Sequence, residues 1–189
     1  MRKYLVQILI MINVFIVKNF YRNVRFGNNI TIKGFPLIRN NGKIYFGNNL
    51  KMNSNSFSNP IGGNTKVSIN IFDNGNLVVG NNVHISNVSI SCANKIVIED
   101  DVFIGGNVKI YDTDFHSLNF NERINNINCH SSSKEIIIKK GAFIGAHAII
   151  LKGVTIGEES IIAAGSIVTK TVPSKTVYGG NPARFIKKL

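Results

Sequence analysis

The chain has 189 residues, 44% of them hydrophobic and 17% charged, which marks one folded domain and excludes a disordered chain. A net charge of +12 favours an anionic partner, but no basic helix or aromatic-studded basic sheet points to nucleic acid, leaving an anionic membrane face, a phosphorylated small molecule, or charge that serves solubility alone. Cys92 and Cys129 form neither a disulfide framework nor a metal motif, and they suit a reducing, cytosolic setting.

The first element is the apolar segment of residues 1–20. Its run from Leu5 to Val17 is 13 residues long, contains Gln7 and Asn13, and is too short to span a bilayer. No small-residue cleavage site follows, which argues against a signal peptide. Leu5, Leu9, Ile12 and Ile16 recur at helical spacing. Such a segment packs on the body or on a sister subunit, or else lies on a membrane surface among Arg2, Lys3, Lys18, Arg22 and Arg25.

The rest of the chain, residues 21–189, is dominated by a period of six. From Ile138 it reads IKKGAF, IGAHAI, ILKGVT, IGEESI, IAAGSI and then Val168, with an aliphatic residue opening every hexad. The fifth position is always small or β-branched: Ala142, Ala148, Val154, Ser160 and Ser166. Earlier copies start at Ile98 and Val79, and weaker ones at Phe46 and Phe26. A helix repeats every three or four residues and a flat strand every two, so six implies a short strand plus a corner. Three such sides close a coil of 18 residues, placing Ile138 under Ile156 and Ile144 under Ile162. Stacked coils then form a solenoid with one continuous aliphatic core, and its two ends need caps.

These hexads resemble the repeats of the hexapeptide acyltransferases, whose fold is a left-handed parallel β-helix; the hand is implied by the resemblance alone. The repeat is expected to break once, at the polar stretch of residues 111–135, "YDTDFHSLNFNERINNINCHSSSKE". A long irregular excursion from a regular array is usually functional. This one carries His116 and His130 with Asp112, Asp114 and Glu122.

"IYDTDFHSLNFNER" is similar to the active-site loop of the family's polysaccharide, maltose and xenobiotic O-acetyltransferases. The resemblance puts His116 in the place of the catalytic histidine. An imidazole with a pKa near about 6.5 can take a hydroxyl proton at neutral pH. Asp114 or Glu122 would orient its ring. The tail "AAGSIVTKTVPSKTVYGGNPARFIKKL" resembles the acetyl-CoA-dependent members. The resemblance implies that Gly145, Ala146, Ala163 and Ala164 line the pantetheine arm, and that Lys170 and Arg184 meet the CoA phosphates. Phe143 stands where the family usually has tryptophan, and "SSSKEI" replaces the usual Gly-Lys-Pro before the strand.

The expected function is therefore acetyl transfer from acetyl-CoA to a sugar hydroxyl, in a cell-surface polysaccharide or its precursor. By the same resemblance the enzyme is a homotrimer, acting in the cytoplasm or at the inner face of the plasma membrane, with no metal. A zinc site like that of the gamma-class carbonic anhydrases is disfavoured, because His84, His116, His130 and His147 lack that family's close histidine pair. A nucleotide-sugar N-acetyltransferase and a non-catalytic β-helix scaffold are the alternatives.

Overall fold

Each hexad builds one short strand on one side of a triangular coil. The computed structural model describes residues 2–127, 129–130 and 132–189, with the backbone alone at Arg2, Lys3 and Leu5. The first face stacks Arg25–Phe26, Lys43–Phe46, Asn76–Val79, Lys95–Ile98, Ile136–Ile138 and Thr155–Ile156, all parallel. The second runs from Thr31–Lys33 to Ile161–Ile162, and the third from Leu37–Asn40 to Ile167–Val168.

The 18-residue register is as expected, with Ile138 paired to Ile156, Ile144 to Ile162 and Ile150 to Val168. Facing inward, these columns are fully buried. So are Ala142, Ala148, Val154, Ser160 and Ser166, whose corner positions leave no room for a larger group. Ser160 and Ser166 satisfy their hydroxyls on the carbonyls of Pro173 and Ala163.

The corners explain the many asparagines. Along the edge between the first and second faces, Asn29, Asn49, Asn82 and Asp101 sit in the left-handed region that asparagine tolerates. Their side chains also bond from coil to coil: Asn49 Nδ2 donates to Asn82 Oδ1, and Asn82 Nδ2 to Asp101 Oδ1, each at 2.8 Å. One residue type thus supplies both the turn and the ladder.

Both ends are capped. At the C-terminal end, Thr176–Gly180 pairs with Ile161–Ile162 and then antiparallel with Ala183–Lys188, so the tail folds back as a hairpin. At the N-terminal end, helix α1 (Arg2–Phe20) rests against the lowest strand of the second face. Met1 and the side chains of Arg2, Lys3 and Leu5 lie outside the described residues. Asn13, the polar break in the apolar run, donates to the carbonyls of Ile32 and Gly34, each at 2.9 Å. Those groups belong to the open edge of the lowest coil, where no strand below can pair with them. Val17 plugs the core, and Tyr21 accepts from the Ile38 amide while donating to the Pro36 carbonyl.

The repeat breaks twice rather than once. Besides the excursion after Tyr111, residues 54–67 leave the coil between Asn53 and Ser68, on the edge between the second and third faces. This second loop holds the 3-10 turn Pro60–Gly62. It lies where hexads are weakest, so its extra residues could not be told from degenerate repeat.

Candidate active site

The histidine loop leaves the edge between the third and first faces, and three contacts tie its neck. Thr113 pairs with Ser133 in an antiparallel bridge, and the Lys134 amide donates to the Asp112 carbonyl at 2.9 Å. The Asp112 carboxylate is fully buried and accepts the amides of Ala93 and Asn94, at 2.7 and 2.8 Å. It thus closes the corner of the coil below. Burial pushes the neighbouring Cys92 thiol up to about 12, and the Asp112 charge adds to the rise, so this cysteine stays an unreactive core residue.

His116 is exposed on the loop, and its amide donates to the Asp114 carbonyl at 2.8 Å. No hydrogen bond claims its ring among the described residues. Asp114 is ion-paired with Lys152 at 2.5 Å, and Lys152 also donates to the Ser132 carbonyl, tying both limbs of the loop to the coil above. Glu122, in the short helix α2 (Phe120–Ile124), accepts from the Ser117 hydroxyl at 2.5 Å. Both carboxylates therefore brace the backbone around His116 rather than bond to its imidazole.

His130 is the residue that geometry adds. It packs against Phe72 with ring centroids 3.9 Å apart and meets Thr113 Oγ1 through Nδ1 at 3.4 Å. Burial holds it below the usual imidazole range, and charge on His116 pushes the same way, against a smaller opposite pull from Asp112. Beside His130 opens a cleft of about 400 Å³, lined by Asn41, Phe72, Asp73, Asn74 and Cys129 among others. A slightly larger hollow, about 440 Å³, lies low on the first face between Arg25, Lys43 and Asn76, away from the loop.

The other expected residues fall on a different edge. Gly145, Ala146, Ala163 and Ala164 stack where the second face turns into the third. A Cβ on Gly145 would stand 2.5 Å from the Ala164 amide, so only glycine permits this stacking. The Gly145 and Ala163 amides are spent on the coil above, leaving Ala164 exposed on the outside. Arg184 is exposed in the hairpin, paired with Gly179, whose neighbour Tyr178 accepts the Ala163 amide at 2.8 Å. Lys170 follows the last strand of the third face and therefore lies on the histidine-loop edge instead.

The second loop climbs this small-residue edge from below. His147 bridges to it, with Nε2 at 3.1 Å from the Ile61 carbonyl and Nδ1 at 3.3 Å from Asn107. His84 packs tilted against Phe103, its pKa lowered by burial and by Lys51.

Comparison with known proteins agrees with the repeat and the coil. Residues 135–170 match the bacterial transferase hexapeptide (six repeats), and residues 95–110 the hexapeptide repeat of succinyl-transferase. WbbJ of Escherichia coli K12, provisionally described as a lipopolysaccharide-biosynthesis O-acetyl transferase, is 28% identical over 93% of this chain and 85% of its own. The acetyltransferase VCA0836 of Vibrio cholerae, solved with acetyl coenzyme A, superposes with a TM-score of 0.57 at 33% identity, covering 64% of each chain. A galactoside acetyltransferase solved with coenzyme A gives 0.57 at 35% identity, covering 64% of this chain and 58% of its own. The chain thus spans less than two thirds of the length of these two structures. By repeat, coil and relatives together, the chain has the stacked parallel coil of the left-handed β-helix and is similar to hexapeptide-repeat acetyltransferases.

Proposed function

We propose that the protein transfers an acetyl group from acetyl-CoA to a hydroxyl of a sugar. The observation that carries this reading is His116, exposed on a braced loop whose His130 lines a polar cleft that also holds Phe72, with the His116 ring unclaimed by hydrogen bonds among the described residues. The cleft suits a sugar: Asn41, Asp73 and Asn74 offer hydrogen bonds, and Phe72 an apolar surface. Neutral His116 takes the hydroxyl proton as the oxygen attacks the thioester carbonyl. The carbon–sulfur bond then breaks, and the thiolate leaves with that proton, giving the acetyl ester and CoA. Asp114 and Glu122 serve as positioning residues, the first through Lys152 and the second through Ser117.

The donor fits the edge of Gly145, Ala146, Ala163 and Ala164, where small residues leave space for the thin pantetheine arm. Arg184 stands nearby for the CoA phosphates. In one chain this edge and the histidine loop lie on different corners of the prism. We therefore assign the complete site to two neighbouring subunits of a homotrimer, with Lys170 serving the site on its own edge. The loop carries Leu118, Phe120, Ile124 and Ile127, all exposed, a surface that a neighbouring subunit would cover. The likeness to WbbJ supports a cell-surface glycan or its precursor as acceptor, and the basic surface suits an acceptor met at the cytoplasmic face of the plasma membrane.

The test is His116→Ala, followed by thiol release and by calorimetric titration of acetyl-CoA. Turnover should fall by about 10²–10⁴-fold with donor affinity unchanged. Retained turnover would remove His116 from the mechanism, and a wild-type protein that binds no acetyl-CoA would favour the scaffold.

A further inference from the structure

Helix α1 is apolar on both sides. Its inner side, through Ile10, Asn13, Val14 and Val17, meets the lowest coil. Tyr4, Ile8, Met11, Ile12 and Phe15 fall at helical spacing on the opposite side and are 50–72% exposed. A helix that is hydrophobic all round is normally covered on every side. No helix among the described residues is long and apolar enough to cross a membrane. Moreover, Asn13 and Val17 pin this one to the coil.

The charge distribution names the cover. The first 72 residues hold 10 lysines and arginines and no aspartate or glutamate, whereas the remaining 117 hold 12 basic and 10 acidic residues. Nearly all of the net +12 thus sits at the end that carries α1. Arg22, Arg25, Lys33, Arg39, Lys43 and Lys51 are exposed on its turns and lowest strands. Two copies joined through α1 would bring two such ends together and repel. An anionic bilayer meets both needs at once, with acyl chains for the apolar side and phosphates for the cations.

We propose that the N-terminal end of the solenoid is a membrane-docking surface. Helix α1 lies in the interface of an anionic bilayer, its outer side buried and the basic lower coils against the headgroups. The histidine loop leaves the coil three strand spacings higher, roughly 14 Å from the lowest coil. This rests on the membrane location proposed above and not on the chemistry of transfer, so the two fail separately.

The chain has no tryptophan, so Phe15→Trp supplies a single reporter on the outer side of α1. Vesicles of phosphatidylcholine with about one third phosphatidylglycerol should blue-shift its emission saturably, and pure phosphatidylcholine vesicles should not. Binding should weaken at least tenfold between 0.1 and 0.5 M salt, roughly the loss expected of screened headgroup contacts. The triple variant Ile8→Glu, Met11→Glu, Phe15→Glu should lose vesicle co-sedimentation yet keep the wild-type circular dichroism spectrum and acetyl-CoA affinity. Absence of any shift with anionic vesicles overturns the proposal, as does undiminished co-sedimentation of the triple variant. A smaller particle for the triple variant in ultracentrifugation, without vesicle binding by the wild type, would assign the surface to a second copy instead.

Discussion

His130 shows how one side chain ties the loop to the coil. The fold lowers the pKa of its imidazole, first through burial beside Phe72 and Phe115 and then through charge on His116. A folded-state pKa below the free value means that the unfolded chain binds the proton more readily. The stabilisation is complete above the free imidazole value, about 6.5, and is lost as pH falls through the lowered one. Hydrogen-exchange protection factors, corrected for the intrinsic pH dependence of amide exchange, should therefore fall in the loop from Asp112 to Ile127 between pH 7.5 and pH 5.5 while those of the strands hold. His130→Phe keeps the stacking and should flatten that dependence; an unchanged profile would place the titration elsewhere. His116 and His130 were visible in the sequence as loop residues. That Asp114 is held by Lys152 was not, because the partners are 38 positions apart and meet only when coils stack.

At the scale of elements, the corners show why the repeat tolerates such varied letters. A corner needs a residue that accepts positive φ and, where possible, a side chain that reaches the next coil. Asn82, at φ +57°, does both. Asn82→Ala should cost about 1–3 kcal/mol by urea unfolding, through the left-handed backbone and the lost ladder bonds. Asn82→Gly should cost less, since glycine relieves the backbone part; equal losses would mean that the ladder alone matters. The aliphatic spacing made the strands legible because inward positions admit few side chains. The loop of residues 54–67 was missed for the converse reason: its anchors, such as Val67 N–H to Ser54 Oγ, are polar contacts with no period.

For the whole molecule, the separation of the histidine loop from the small-residue edge bears on assembly. If neighbouring chains complete each site, two inactive variants should rescue one another. His116→Ala and Ala164→Trp, refolded together as mixed trimers, should regain up to about a quarter of wild-type activity from sites that draw the intact half of each. Each variant refolded alone should stay inactive. No recovery, with mixed particles verified by mass, would place both halves of the site on one chain. Ultracentrifugation should give three times the 20.8 kDa chain.

The sequence by itself determined the coil, its register and the histidine loop, because each rests on local chemistry: inward aliphatics every six residues, permissive corners, and an irregular polar stretch that breaks them. Only the tertiary structure decided which residues share an edge. It parted Lys170 from Arg184, turned Asp114 and Glu122 into braces, and set His130 beside the cleft. It also revealed that Asn13 closes the bottom coil while leaving half of α1 bare. In a solenoid, neighbours across coils are a full turn or more apart in the chain, and an insertion changes that distance without changing the stack. Contacts of that kind depend on stacking in space, and no spacing in the chain reports them.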